Sequence, residues 1–177
     1  MSLTSFRSDF VKPRSIYNRL GQFDYQNPDY TDDLIEVNEA NEEGIKRIYI
    51  GQTKAETKIW DGIGIAVWSS GSIYEGYWKD GMRNGPGRNI WFNGQYYVGD
   101  WKDNKRHGNG THYYDNGSWH TGEWRDDKKN GFGTTYIAEG DKYTGEFKDD
   151  IPHGKGTCYS ADGKKQTIEF KDGKLIE

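Results

Sequence analysis

The chain has few of the residues that build a compact globular core, a disulfide framework or a membrane span. Only 32% of the 177 residues are hydrophobic, four are proline, and Cys158 is the single cysteine. One cysteine cannot form an intrachain disulfide, which is typical of a reducing compartment. No apolar run approaches the roughly 18 residues of a membrane span or resembles a secretory signal near Met1. The net charge of −4 predicts no nucleic-acid binding.

Aromatic residues and glycine are abundant instead. Aromatic residues make up 15% of the chain, with seven Trp and thirteen Tyr, and there are 24 Gly. Tyr and Trp favour strands and supply large apolar area per side chain. This composition therefore favours a thin β structure that buries aromatic rings on one face and has little interior.

A repeat of 23 residues runs through the second half of the chain. Its units begin at Tyr74, Tyr97, His120 and Tyr143, without an insertion or a gap. Each unit opens with an aromatic slot, followed by a glycine two residues later and a large aromatic residue after two more. The large aromatic slot holds Trp78, Trp101, Trp124 and Phe147. A Gly-x-Gly and then a turn dipeptide, such as Asn93-Gly94, complete each unit.

The repeat predicts a β-hairpin. The Tyr-x-Gly-x-Trp pattern has period two, so its aromatic residues and glycine share one face of a strand. Asn93-Gly94 and Asn116-Gly117 predict type I′ hairpin turns, which need positive φ at both central residues. The recurrent mid-strand glycines are interpreted as making room for rings of the neighbouring unit. Because one unit buries little, stacked units are expected to stabilise one another.

The ends of the array are irregular. An opening unit begins near Tyr49 and carries two extra residues before its Gly-x-Gly. A closing half unit occupies 166–177, with Ile168 in a glycine slot, and is interpreted as a cap. The predicted domains are therefore an N-terminal extended arm, 1–48, and a repeat array, 49–177, with units near 49, 74, 97, 120 and 143.

The stretches YEGYWKDGMRNGPG and YVGDWKDNKRHGNGT resemble the MORN repeat (membrane occupation and recognition nexus). The resemblance covers about 49–177. It implies an all-β fold: an elongated single-layer antiparallel sheet of stacked β-hairpins, with a largely irregular N-terminal arm. It also implies a role as a scaffold in cytoskeletal, ciliary or membrane-contact structures.

The arm divides by charge. Residues 1–20 carry four basic and one acidic residue (4 − 1 = +3), and 21–48 carry two basic and eight acidic residues (2 − 8 = −6). Its aromatic residues, including Phe6, Phe10 and Tyr17, favour an arm that docks on a partner or along the array. The basic start leaves a mitochondrial presequence as the alternative. Asp32 to Gly44 could form a short helix, because its acidic start suits the helix dipole.

The sequence predicts no catalytic residue, cofactor site or metal site. The Gly-x-Gly pairs lack the third glycine of a nucleotide-binding loop. Cys158 shares its repeat slot with Asn89, His112 and Thr135, so a nucleophile is not expected there. The aspartates that follow each large aromatic residue recur beside a basic residue, which is typical of a solvated charge ladder.

The resulting functional hypothesis is a non-catalytic scaffold subunit in a larger protein assembly, without a small-molecule substrate. Partly exposed rings would line a partner-binding groove. The groove is expected to contain Tyr74, Trp78, Tyr97, Trp101 and Trp124. The expected location is intracellular, in a cilium (axoneme) or the cytoskeleton. The alternatives are a phospholipid-membrane tether with weak membrane contact, and an accessory subunit of a mitochondrial complex.

Overall fold

The protein, seen in a computed structural model, is built from β-strands. The structure describes residues 19–21, 23, 35–40, 46–171 and 173–176. Within these ranges only Arg19 and Leu20 are helical. The prediction of an all-β hairpin sheet is confirmed.

Thirteen strands lie within the described residues, and most have seven or nine residues. They are β1 (Ile35–Ala40), β2 (Lys46–Thr53), β3 (Trp60–Trp68), β4 (Ile73–Lys79), β5 (Met82–Ile90), β6 (Tyr96–Lys102), β7 (Lys105–Tyr113), β8 (Trp119–Arg125), β9 (Lys128–Tyr136), β10 (Lys142–Lys148), β11 (Ile151–Tyr159), β12 (Lys165–Lys171) and β13 (Lys174–Ile176).

The chain divides into two compact units, Met1–Tyr96 and Tyr97–Glu177. Within each unit, strands that follow one another along the chain are antiparallel neighbours. Among the described residues, paired strands begin at Ile35, so they include part of the predicted arm. The helix expected over 32–44 is wrong at Ile35–Ala40, where all six residues pair with β2. Pairing with an open strand outweighs a weak local helix preference.

The tightest turns of the hairpins lie at two-residue turns that begin with aspartate, not at the Asn-Gly dipeptides. β6 and β7 are joined by Asp103 and Asn104, with φ of 48° and 69°, and β8 and β9 by Asp126 and Asp127, with φ of 49° and 71°. Positive φ at both central residues is the geometry of a type I′ turn. Asp and Asn tolerate this region better than other non-glycine residues. The charge ladder thus runs along a row of hairpin turns.

The Asn-Gly positions form a different turn, so the type I′ prediction is wrong there. Gly94 has φ of 91°, and its N–H donates to the carbonyl of Trp91 at 2.9 Å. The N–H of Trp91 donates to Gln95, also at 2.9 Å. Asn93 is not among the residues with positive φ. This is a type I turn closed by a left-handed glycine, which the same glycine-containing dipeptide also suits.

The face that carries the repeated glycines, here called the glycine face, holds one ring over each pair of glycines. Gly99 and Gly110 lie on the strands β6 and β7, and a Cβ at Gly99 would lie 2.6 Å from the Tyr97 hydroxyl. A Cβ at Gly110 would overlap the same ring. The glycines therefore do make room for rings. However, the ring belongs to the same repeat and not to the neighbouring one, because the side chain lies across its own hairpin.

Rings of successive repeats interlock on the glycine face. Trp124 packs edge-on against Tyr97 of the preceding repeat, with centroids 5.5 Å apart, and against His120 of its own, at 5.4 Å. Its indole N–H donates to the carbonyl of Gly110 at 3.0 Å. Trp78 makes the equivalent bond to Gly64 at 3.2 Å. Trp78 and Trp124 therefore each join two repeats by ring packing and by a hydrogen bond.

Phe147→Trp is expected to stabilise the second unit by about 1 kcal/mol, the usual net value of a hydrogen bond. Phe147 fills the large aromatic slot and packs against His120 at 4.8 Å, but phenylalanine has no N–H to donate to the glycine carbonyl of the preceding repeat. Urea denaturation measures the change. Phe147→Leu is the control and should destabilise the unit. Equal midpoints for the tryptophan variant and the wild type would contradict the predicted bond.

The closing half unit continues the packing. Ile168, predicted to be a cap, lies directly opposite Gly156 on β11. Phe170 takes the next large aromatic position and contacts Tyr143 edge-on, with centroids 5.6 Å apart. Ring packing in this unit therefore extends into β12.

Candidate partner-binding surfaces

The five rings predicted to line a partner groove are core residues. Their exposed fractions lie between 0 and 4%. They are Tyr74, Trp78, Tyr97, Trp101 and Trp124. The prediction that these rings are partly exposed is wrong, because each tyrosine lies over a pair of glycines and the tryptophans pack edge-on against the tyrosines. Phe6, Phe10 and Tyr17 lie outside the described residues, so their role in docking stays a prediction.

Cationic side chains cover the rings of the second unit. The guanidinium of Arg106 lies 4.3 Å from the Trp124 ring centroid. Its Nε also donates to Asp127 at 3.0 Å. The Lys129 ammonium lies 5.8 Å from the Phe147 centroid, and burial lowers the pKa of this amine. Since long basic side chains can lie along apolar surface, a single-layer sheet can bury its rings without a second layer.

Two histidines lie in this aromatic core. His120 is fully buried in a slot that holds tyrosine in the other repeats, and its Nδ1 lies 2.8 Å from the Thr135 hydroxyl. His112 pairs with His120 across β7 and β8, and its Nδ1 lies 2.7 Å from Arg106. Burial, aided by nearby cations, lowers the pKa of His120 to about 3 and that of His112 to about 4. Both imidazoles are therefore neutral packing groups at pH 7.

The face opposite the glycine face, here called the opposite face, carries a segment of the chain itself in the first unit. Leu20 packs against a buried cluster of Val67, Ile73 and Ile90. The Phe23 N–H donates to Glu75 at 2.7 Å, and Arg88 donates to the carbonyl of Gly21 at 2.6 Å.

Glu75 and Arg88 form the polar centre of this contact. The two side chains pair at 2.6 Å, and their exposed fractions are 1% and 6%. Sequence reasoning missed both residues. Their signal was that they depart from the repeat, since the equivalent slots in later repeats hold uncharged residues, mostly threonine, as in Thr121 and Thr134. A buried pair that also bonds to main-chain groups fixes the position of the bound segment.

In the second unit, the opposite face carries a row of aromatic and lysine residues, here called the aromatic–lysine row. Its members are directly opposite one another on successive strands. They are Tyr113, Trp119, Tyr136, Lys142, Tyr159 and Lys165. All except the exposed Lys165 are half-buried. The alternation of each strand separates this row from the buried rings of the glycine face.

A family model described as the MORN repeat matches residues 74–96, 97–119, 120–142 and 143–165. These four consecutive matches have the boundaries of the 23-residue units and cover more than half of the chain. The chain belongs to the MORN-repeat family. MORN repeats generally act as scaffold modules that interact with proteins or membranes. A search of curated proteins found no match to the chain.

The cysteine and the potential metal-binding side chains of this MORN-repeat array lie in surroundings that favour a structural role. Burial raises the pKa of the Cys158 thiol, which disfavours its reactive thiolate form. Within the described residues, His, Cys, Asp and Glu side chains form no group suited to a metal ion. Likewise, no helix in the described part of the chain has the length and apolar character needed to cross a membrane.

Proposed function

We propose that this MORN-repeat protein is a non-catalytic structural subunit that binds other proteins of a larger assembly. One observation carries the proposal. The opposite face of the first unit holds Leu20, Gly21 and Phe23 through the Glu75–Arg88 pair and an apolar cluster. A sheet face that fixes a segment by its main-chain groups needs no particular side-chain sequence for those bonds. Such a face is suited to polypeptide binding.

The structural positions of the titratable side chains support a non-catalytic role. His112 and His120 are neutral and buried, so they are poorly placed to exchange protons with a substrate. Acidic residues such as Asp103 and Asp126 form the hairpin turns. In this proposal the protein has no cofactor and no small-molecule substrate, and its contribution to an assembly is mechanical and positional.

We infer a ciliary axoneme or the cytoskeleton as the location, in keeping with the family resemblance. Two alternatives remain: a peripheral phospholipid tether and an accessory subunit of a mitochondrial complex. The balance of 18 basic and 19 acidic residues over 49–177 argues against strong attraction to anionic lipid. The excess of basic residues over 1–20 is the observation that favours the mitochondrial alternative.

Localisation of the full chain with a C-terminal tag tests the proposed function. Co-fractionation with an axonemal or cytoskeletal assembly that resists detergent extraction is the expected result. Accumulation in mitochondria would overturn the proposed location. Sedimentation with phosphatidylserine vesicles at physiological salt, together with loss from the cellular assembly, would overturn protein scaffolding and favour the membrane tether.

A further inference from the structure

The aromatic–lysine row of the second unit is a stack of alternating π faces and cations. The Trp119 and Tyr136 rings are 3.7 Å apart with an interplanar angle of 15°. The Lys142 ammonium lies 5.7 Å from the Tyr136 centroid and 4.3 Å from that of Tyr159. The Lys165 ammonium also lies over the Tyr159 ring, 5.7 Å from its centroid. The members of the row therefore turn their faces toward one another.

This stacking determines which chemical groups of the row face solvent. Aromatic rings carry negative potential on their faces and positive potential on their edges. Since the faces are turned inward along the row, the partly exposed surface consists of ring edges, phenol and indole donors, and ammonium groups. The row therefore presents hydrogen-bond donors and positive charge, which suit carboxylate groups.

Three of the acidic groups near the row have partners of their own. Asp162 pairs with Lys164 at 2.6 Å, and Asp141 accepts a hydrogen bond from the N–H of Ala161 at 2.8 Å. Glu123, also on the opposite face, accepts a hydrogen bond from the N–H of Phe132 at 3.1 Å. The cation–π contacts hold the ammonium groups of Lys142 and Lys165 in the row itself.

The row is flanked by a second row, here called the threonine row. One threonine from each strand β7 to β12 lies directly opposite the next. They are Thr111, Thr121, Thr134, Thr144, Thr157 and Thr167. Hydroxyls bond in pairs across the strands, at 2.9 Å both for Thr111 with Thr121 and for Thr134 with Thr144. The threonine row therefore forms an uncharged border along one side of the aromatic–lysine row.

The corresponding slots of the first unit show that this face can hold a chain segment. Ile73 and Ile90 occupy the slots of Trp119 and Tyr136 two repeats earlier, and they are 6% and 1% exposed in the cluster with Leu20. In the second unit the equivalent side chains are larger and, apart from the exposed Lys165, half-buried, and lysine replaces apolar residues at two positions. The face is retained, while its chemistry changes from aliphatic to aromatic and cationic.

We propose that the aromatic–lysine row is the docking site for an extended acidic segment of a partner protein. The proposal rests on the proposed scaffold function and specifies one surface for it. Five strand spacings of about 4.8 Å separate Tyr113 from Lys165, a span of about 24 Å. An extended chain covers that span with about seven residues. Alternating acidic and aliphatic residues would place carboxylates near the ammonium groups and apolar side chains against the ring edges.

Fluorescence anisotropy with the full chain tests the docking site. The probe is a labelled ten-residue peptide of alternating Glu and Leu, and the comparison peptide alternates Lys and Leu. The Glu peptide should bind to the wild type, and its binding should weaken as the salt concentration rises. Its affinity for Lys142→Glu/Lys165→Glu should be about tenfold lower, because charge reversal turns attraction into repulsion. The Lys peptide should not bind. Equal binding of both peptides would overturn the proposal.

A matched variant separates the row from the total charge. Lys102→Glu/Lys148→Glu makes the same change in net charge at two exposed lysines that end β6 and β10, away from the row. It should bind the Glu peptide within about twofold of wild type, since rim charges distant from a site act weakly. Equal loss in both double variants would overturn the assignment of the row. Far-UV circular dichroism confirms that each variant is folded.

Two further results distinguish the proposed site from the proposed function. Lys142→Glu/Lys165→Glu could remain in the cellular assembly at wild-type level and bind the Glu peptide unchanged. This result would reject the row as the docking site and leave the proposed scaffold function intact. Row-dependent binding of phosphatidylserine vesicles, without binding of the Glu peptide, would overturn the proposal in favour of a lipid surface.

Discussion

Gly110→Ala is expected to destabilise the second unit by about 3 kcal/mol, at the upper end of the range for overpacking. A Cβ at this position overlaps the phenol of Tyr97, which is 0% exposed. The ring cannot move aside without breaking its edge contacts with Trp101 at 5.2 Å and Trp124 at 5.5 Å. Urea denaturation followed by tryptophan fluorescence measures the loss.

A double-mutant cycle isolates the clash. Tyr97→Ala alone should also destabilise the unit strongly, because it removes a buried ring. In the Tyr97→Ala background, Gly110→Ala should cost less than about 1 kcal/mol, since the overlapping group has gone. Asn109→Ala is the matched control in the same strand, because Asn109 is exposed. Additive costs for Tyr97→Ala and Gly110→Ala would show that the ring is not what excludes a side chain at Gly110.

Mild acid is the second condition with a large expected effect. The unfolded chain binds protons at His112 and His120 below a pKa of about 6.5, whereas burial holds the folded pKa values at about 4 and about 3. Below pH 6.5 the unfolded state therefore binds more protons, so the free energy of unfolding falls as the pH falls. At pH 5 each imidazole should remove about 2 kcal/mol of stability. The loss should level off near the two folded pKa values.

His120→Tyr tests the origin of this acid sensitivity. Tyrosine occupies the equivalent slot in the flanking repeats, and the Tyr97 hydroxyl donates to the carbonyl of Asp100 at 3.2 Å. The variant should keep its stability at pH 7 and lose about half of the fall in unfolding free energy between pH 7 and pH 5. Urea midpoints at both pH values measure the effect. A pH dependence equal to that of the wild type would contradict the account, because the acidic residues are the same in both proteins.

The hairpins could be predicted because the signals for them are local and recur. The alternation of Tyr97, Gly99 and Trp101 fixes which side chains share a face, whatever lies on that face. The repeated glycines indicated a close approach of rings, and the structure confirms it for Gly99 and Gly110. The turn type could not be taken from Asn-Gly alone, because that dipeptide fits both a type I′ turn and a left-handed glycine after a type I turn.

The exposure of the candidate site could not be predicted from the pattern. The sequence pattern around Tyr97 and Trp124 is compatible with an open groove and with a buried core. Which of the two forms depends on the cover from Arg106 and on the packing between rings of successive repeats. The row that remains partly exposed, which includes Trp119 and Tyr136, lies on the other face. Its signal was a further aromatic position that recurs every 23 residues, at Tyr113, Tyr136 and Tyr159.

The sequence by itself determined the 23-residue hairpin unit, the family and the separation of two faces, because strand alternation and the exact spacing of glycines leave one arrangement for each unit. The tertiary structure decided which rings are buried, why His112 and His120 stay neutral, and which face holds Leu20 and Phe23. Burial and pKa depend on neighbours brought together from different repeats. A periodic sequence predicts that such neighbours exist, but their packing decides how much water each side chain loses.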